Sequence, residues 1–370
     1  MCFFGSYRIR HERNTILAKG LEKSGSEVIE CHVPMPSVTA AGFIASRRKL
    51  IGDSFLRLLP HNIALLAKYA TVRDHDVMFL GFLTLHDLPL AKILTKLNRK
   101  PLIFDPYISI YDTLVHDRRL ISNRSLLGET IRLAESILLD LPDIVVADTH
   151  EQAKFYRYSL GTDARKLRTI YVGADEDVFF PRPKPRRNQN FRVLFYGTYI
   201  PLHGVHYILE AANILRSYNI SFTLIGRGQT YSETRRIASN LKLQNVSFRE
   251  WIPYDELPKQ ISKSDVCLGI FGDTMKARRV IPNKVYQCLA MRKPVVTSDT
   301  PAAREILVDH RNSLLCDASN PEALARAILE LRNDERLRED IASEGYELFK
   351  QRFTSVNVGA SLVEILEPIL

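Results

Sequence analysis

The stretch Arg279–Val296, RVIPNKVYQCLAMRKPVV, puts positive charge where a helix ordinarily repels it. Val285, Cys288 and Leu289 recur at helical spacing, and Pro294, Val295 and Val296 read as the strand that follows. Pro282 and Asn283 predict the helix start, since proline fits the first turn and asparagine caps. Yet Arg278, Arg279 and Lys284 crowd that end, with Lys276 close by. The positive end of the helix macrodipole lies there, and a cation beside it costs roughly 0.3–1 kcal/mol. A bound anion reverses that sign. The reading is a phosphate-rich ligand held by Arg279, Lys284 and the helix amides. Taken alone, the same residues would mean a solvated basic loop.

Two further loops change the balance. Phe195–Gly204, FYGTYIPLHG, follows a predicted strand, with Gly197, Thr198, His203 and Gly204 in a loop that opens onto a helix. Leu224–Gln229, LIGRGQ, places Gly226 and Arg227 after the next strand. The third loop, Gly269–Lys284, carries Phe271, Gly272 and Lys276 ahead of the basic helix start. A single glycine after a strand is turn chemistry. Three such loops at the carboxyl ends of parallel strands should meet on one face, where open α/β sheets bind ligands. In the first half, Phe104–Arg119, FDPYISIYDTLVHDRR, offers Asp105, Tyr107, Asp112 and His116 as hydrogen-bonding groups after a strand. Asp105 and Asp112 are preferred because carboxylates accept well from hydroxyls. His86, in FLTLHDLP, reads as a helix-start residue.

The elements that must position these groups alternate from end to end. Strands are predicted at Cys2–Phe4, Glu27–Val33, Val77–Leu80, Leu102–Phe104, Ile144–Ala147 and Thr169–Val172. A second set is predicted at Arg192–Gly197, Phe222–Gly226, Val246–Phe248, Asp265–Ile270, Pro294–Ser298 and Ser313–Cys316. Helical periodicity separates them, which implies α/β domains with parallel sheets and helices on both faces. At 370 residues two cores are expected. Residues 1–178 form the first domain and 191–354 the second. The aperiodic, proline- and charge-rich run Phe179–Asn190 links them. The amphipathic segment 355–370 is expected to pack back on the first domain.

Composition narrows the function. Net charge is +9, from 51 basic and 42 acidic residues scattered along the chain, a mild pull toward anions without the basic stripe of a nucleic-acid binder. The five cysteines have no CxxC spacing and read as buried thiols. No apolar run approaches the length of a membrane span, and the amino terminus lacks a signal-peptide pattern, so the expected location is the cytoplasm. Gly42–Arg73 mixes Arg47, Arg48, Lys49, Arg57 and Lys68 with Phe43, Ile51, Phe55, Leu58 and Leu59. That basic amphipathic pattern fits either peripheral contact with anionic lipid or a core helix with a solvated face.

Residues 191–307 resemble the donor half of retaining glycosyltransferases of family 4. The resemblance rests on FYGTYIPLHGVHYILEAA, TLIGRGQ, VSFREWIPYDELPKQISKSDVCLGIFG and IPNKVYQCLAMRKPVVTSDTPAAREIL. Phe3–Val28 and Ile170–Pro181 are similar to the stretches that open and close the family's first domain. The resemblance implies the GT-B architecture of two Rossmann-like domains facing a cleft. It further implies a UDP- or GDP-sugar in the second domain, a glycan or lipid-linked acceptor in the first, and transfer with retention of anomeric configuration, without metal or other cofactor. It places Gly5, Ser6, Gly197, Thr198, His203, Gly204, Gly226, Arg227, Ile252, Phe271, Gly272, Lys276, Arg279, Pro282, Asn283, Lys284 and Gln287 around the donor, with Asp105, Asp112 and Arg279 as the catalytic candidates.

The chain departs from that pattern at several positions. Where the family carries a glutamate pair, this chain has Arg279 and Gln287, and its lysine before glycine is His203. An amide still hydrogen-bonds a ribose hydroxyl, and His203 would contact phosphate when protonated, below pH ~6.5. Asp74-His75-Asp76 and Asp175-Glu176-Asp177 match a metal-binding Asp-x-Asp pattern, but the first opens a strand at the wrong end and the second adjoins the linker. Cations and helix amides aimed at the departing diphosphate would supply transition-state stabilisation. The alternative reading is a catalytically silent nucleotide-sugar-binding or partner protein.

Overall fold

The computed structural model describes residues 1–7, 11–34, 53–72, 74–183 and 190–369, the side chains of 53–59 excepted. The chain divides into two compact units. One comprises Met1–Val115, Arg119–Tyr171 and Ser355–Leu370, and the other His116–Arg118 and Val172–Thr354.

In the first unit, strands β1 (Cys2–Gly5), β2 (Ile29–His32), β3 (Met78–Leu80), β4 (Leu102–Phe104), β5 (Ile144–Ala147) and β6 (Leu167–Thr169) pair in parallel in the order β2-β1-β3-β4-β5-β6. Their helices are α1 (Glu12–Lys23), α2 (Asp53–Tyr69), α3 (Leu88–Asn98), α4 (Leu126–Leu139) and α5 (His150–Leu160). Cys2 and Phe4 enter one apolar cluster and Phe3 the other, so both faces of β1 are buried, as a parallel sheet between helix layers requires.

The second unit pairs β7 (Phe191–Tyr196), β8 (Ile220–Ile225), β9 (Val246–Arg249), β10 (Val266–Leu268), β11 (Val295–Ser298) and β12 (Leu314–Cys316) in the order β12-β11-β10-β7-β8-β9. All pairs are parallel. The helices are α6 (Val205–Ile214), α7 (Tyr231–Asn240), α8 (Leu257–Lys263), α9 (Asn283–Ala290), α10 (Pro321–Asn333) and α11 (Glu335–Arg352). Chain order runs outward in opposite directions from the neighbours β7 and β10. That is the topological switch point, the place where the loops of open α/β sheets bind ligands.

The final helix α12 (Ser355–Leu366) returns to the first unit. Its Val358, Leu362 and Leu366 share a cluster with Ile16, Leu17 and Leu21 of α1. The two helices touch backbone to backbone: a Cβ on Gly20 would lie 2.0 Å from the Ser355 carbonyl and 2.9 Å from Gly359 Cα.

Three expectations shift. The sixth strand is Leu167–Thr169 rather than Thr169–Val172, because the carbonyls of Ile170 and Tyr171 accept from Arg13 instead of extending the ladder. The boundary between units falls at Val172 rather than after 178, with the Ala174 amide donating to the Phe353 carbonyl. Asn283 occupies the first turn of α9 rather than its cap; Pro282 holds the cap position and no side chain caps the helix. Of the linker, 184–189 lie outside the described residues, as do 42–52 and Arg73 of the basic amphipathic segment. All five cysteines are buried and free. Among the described residues no helix is long and apolar enough to cross a membrane.

Candidate functional site

The three glycine loops of the second unit interlock through their backbones. The amides of Phe271 and Gly272 donate to the carbonyls of His203 and Leu202, joining the loops after β7 and β10. A Cβ on Gly204 would meet Gly272 N at 2.5 Å, and one on Gly272 would meet the Pro201 carbonyl at 2.3 Å. No larger residue fits either position. On the other side, the Tyr199 amide donates to the Arg227 carbonyl, and a Cβ on Gly226 would strike the Gly197 carbonyl at 2.0 Å. The sequence therefore needs glycine at these crossings so that the three loops can meet at the switch point.

Lys284, in the first turn of α9, lies at the centre of this arrangement. It is 5 % exposed, and its Nζ has no hydrogen-bond partner among the described residues. The ammonium sits 4.0 Å from the centre of the Phe195 ring, a cation–π contact that replaces only part of its lost hydration. Burial pulls its pKa down to about 7. Its Nζ is 3.0 Å from where a Cβ of Gly197 would stand, and Gly197 has φ +143. A side chain there would be strained and would meet the lysine.

The other predicted residues are placed unequally. His203 is buried, with Nδ1 against the Thr198 carbonyl and its ring edge-on to Phe195 at 5.7 Å. Burial, then the neighbouring Lys284, holds its pKa well below the ordinary value, which disfavours the protonated form that the expected phosphate contact requires. Arg279 is half-buried, and its amide donates to the Lys276 carbonyl in the turn that Thr274 Oγ1 closes. Lys276 itself is buried. Arg227 is paired with Glu250 and lies over the Tyr231 ring. Ile252 is half-buried and Phe271 is core. Gln287 is also core: its Oε1 accepts from Tyr196 Oη at 2.7 Å, so that acceptor is already engaged rather than open to a ribose.

In the first unit the structure reassigns several candidates. Asp105 is fully buried and ion-paired with the equally buried Arg13 at 2.7 Å, and Arg13 also donates to the carbonyls of Ile170 and Tyr171. Through Oδ2, Asp105 thus ties α1, β4 and the segment after β6 together. Asp112 is buried in a single π-helical stretch, Asp112–Asp117, its amide donating to Ser109 Oγ. The Ser6 amide and hydroxyl both donate to Asp87, at 2.6 and 3.3 Å, so Ser6 is not open to a ligand. Gly5, φ +135, is required because a Cβ would stand 2.6 Å from Thr84 Cγ2. Arg13, Asp87, Phe195 and Tyr196 escaped the sequence reading because their partners are far along the chain, 81 residues for Ser6–Asp87 and 92 for Arg13–Asp105. Asp74 of the first Asp-x-Asp pairs with Lys100 on the surface. Among the described residues no group of three or more His, Cys, Asp or Glu side chains is placed to hold a metal.

A family match falls on the second unit. Residues 190–334 match the family Glycosyl transferases group 1. The matched segment carries all three interlocked loops and Lys284. An uncharacterized glycosyltransferase of Methanocaldococcus jannaschii is 25% identical over 189 residues, 49% of this chain and 48% of that protein. The lipopolysaccharide core biosynthesis glycosyltransferase LpsE of Rhizobium meliloti is 23% identical over 175 residues, 47% and 49% of the two chains. The chain thus spans about half the length of the curated relatives it matches. Solved structures extend the fold match to the whole chain. HepE of Anabaena in complex with UDP-glucose superposes with a TM-score of 0.72 over 99% of each chain at 18% identity. Sucrose-phosphate synthase of Thermosynechococcus elongatus does so with 0.74, covering 99% of this chain and 95% of that one at 15% identity. The fold is the GT-B type of α/β protein with two Rossmann-like domains.

Proposed function

We propose that the chain is a glycosyltransferase whose second unit binds a UDP- or GDP-sugar and whose first unit presents a glycan or lipid-linked acceptor, with retention of anomeric configuration. The observation that carries this reading is Lys284: a buried ammonium with no hydrogen-bond partner among the described residues, at the uncapped start of α9 and beside Gly197 at the switch point. A diphosphate supplies the missing charge, and the helix amides donate to its oxygens. As the sugar–phosphate bond breaks, negative charge grows on the leaving diphosphate, and Lys284 and Arg279 stabilise it without a metal ion. The family match over the same residues and the UDP-glucose complex of the structurally similar HepE support a nucleotide-sugar there.

A lipid-linked acceptor would bring the protein to a membrane surface. On α2, within Gly42–Arg73, Ile63 and Leu66 are 66% and 47% exposed beside Lys68, which suits shallow insertion among anionic headgroups. Co-sedimentation with phosphatidylglycerol vesicles, lost on Ile63→Ser with Leu66→Ser, tests that contact. The second reading, a silent nucleotide-sugar-binding protein, draws on Gln287, whose acceptor oxygen is already taken by Tyr196. Calorimetry with UDP, GDP and ADP, beside Arg279→Ala and Lys284→Ala, tests the donor site. Binding of one nucleotide without added metal, lost in Lys284→Ala, is expected. Absence of binding to all three would remove the donor assignment, whereas binding without turnover over a broad acceptor screen would favour the silent reading.

A further inference from the structure

Three aromatic rings gather at the carboxyl edge of the first unit's sheet, and no role assigned so far uses them as a group. His11 precedes α1, Phe82 follows β3 and Tyr107 follows β4. The His11 and Phe82 ring centres are 4.0 Å apart, and Tyr107 stands edge-on to both, at 5.6 and 5.5 Å. All three rings are only partly buried. The backbone is bent to place them. Tyr107 has φ 54 and Leu83, next to Phe82, has φ 71, a left-handed conformation that bulky residues adopt only when surrounding contacts impose it.

A polar group completes the cluster. Asn14 Oδ1 accepts from the Phe82 amide at 3.2 Å, which fixes the side chain beneath the turn that carries the ring. Gly81 is required for this approach, since its Cβ would stand 2.3 Å from Asn14 Oδ1. The other end of the amide, Nδ2, is buried and has no hydrogen-bond partner among the described residues, in a residue only 3 % exposed. Leaving such a donor unpaired is costly, and a ligand acceptor would satisfy it. Aromatic faces with one directed polar donor form a recurring composition for small-molecule sites.

We propose that His11, Phe82 and Tyr107 form a stacking platform for one pyranose ring of the acceptor, with Asn14 Nδ2 donating to a ring substituent. The face of a pyranose presents C–H groups of partial positive charge, which match the negative face of an aromatic quadrupole. Its rim presents hydroxyls, which accept from an amide. An acyl chain would match the rings but leave Asn14 unsatisfied. This inference rests on the reading that the first unit takes a glycan acceptor, and it names the residues that recognise it.

The test is saturation-transfer NMR on the full-length protein with a panel of methyl pyranosides of gluco, galacto, manno and N-acetylgluco configuration, beside Phe82→Leu and Tyr107→Leu, which keep apolar bulk and remove the π face. UDP and GDP binding is measured calorimetrically on each protein. The expected result is transfer to the ring C–H protons of at least one pyranoside, reduced at least several-fold in both variants while thermal midpoint and nucleotide affinity hold. Asn14→Ala is expected to weaken the same pyranoside without changing which protons receive saturation. Transfer undiminished in both leucine variants, or no transfer to any pyranoside, overturns the platform. Octyl glucoside is run beside the panel, and transfer confined to its alkyl protons reassigns the rings to a lipid chain. Loss of nucleotide binding in the unmodified protein would instead strike the donor reading and leave the pyranoside result to stand or fall separately.

Discussion

The proposed nucleotide site predicts proton-linked binding, because burial pulls the Lys284 pKa down to about 7. At pH 8 a group with a pKa of about 7 is protonated in roughly one molecule in ten. A diphosphate placed against Lys284 Nζ favours the ammonium and restores the pKa toward its ordinary ~10.4, so binding at pH 8 takes up about 0.9 proton. At pH 6 the lysine is already charged and uptake falls to about 0.1. Affinity should weaken about tenfold per pH unit above 7, because each binding event must first recruit a proton. Titration calorimetry at pH 8 in Tris, HEPES and TAPS gives the proton count as the slope of observed heat against buffer ionisation enthalpy. The nucleotide's terminal phosphate is fully ionised at that pH, with its second pKa near ~6, and the neutral His203 contributes nothing there. A slope of zero with binding intact would refute the reasoning, as would the same slope in Lys284→Met. The free protein carries the opposite signature. Because the native pKa is depressed from 10.5, the unfolded chain binds more protons between pH 7 and 10.5, and stability rises with pH across that window. The burden at pH 7 is on the order of 4 kcal/mol as an upper bound, so Lys284→Met should raise the thermal midpoint while abolishing nucleotide binding.

Other perturbations separate structural from ligand-binding carboxylates. Asp105→Ala leaves Arg13 charged, buried and unpaired, and should cost about 3–5 kcal/mol in urea unfolding; an unchanged midpoint would return Asp105 to the substrate-facing set. Glu135 on α4 accepts from the amides of Ile110 and Tyr111 and from Ser109 Oγ, and burial pushes its pKa up to about 7. Its raised pKa means stability is lost as pH rises from the unfolded value of ~4.3 through 7, by up to about 3 kcal/mol, and Glu135→Gln should flatten that part of the profile relative to the parent. Gly20→Ala would drive a methyl into the Ser355 carbonyl, and the α1–α12 contact should weaken by about 1–3 kcal/mol despite alanine's better helix propensity. Equal denaturation curves for the two proteins would mean that α12 is held elsewhere.

Local chemistry in the sequence determined a large share of this protein. Apolar runs marked eleven strands of the two sheets and overlapped the sixth only at Thr169; the central ones stood out because a strand buried on both faces is apolar at consecutive positions. The crowd of cations at the start of α9 raised the expectation of an anion there, because a helix start and a cluster of like charges conflict without one. Only the tertiary structure decided what each polar group does. Asp105 and Asp112 looked alike as carboxylates after a strand, yet one is consumed by Arg13 and both are buried. Ser6 looked open until Asp87 arrived from 81 residues away. Asn283 gave the helix start and not its cap, which fell to a proline with no side-chain acceptor. The depressed pKa of Lys284 and the ring cluster of His11, Phe82 and Tyr107 have no sequence signature either. Burial and proximity are properties of packing, and these groups converge only after parallel strands distant in sequence have been brought side by side.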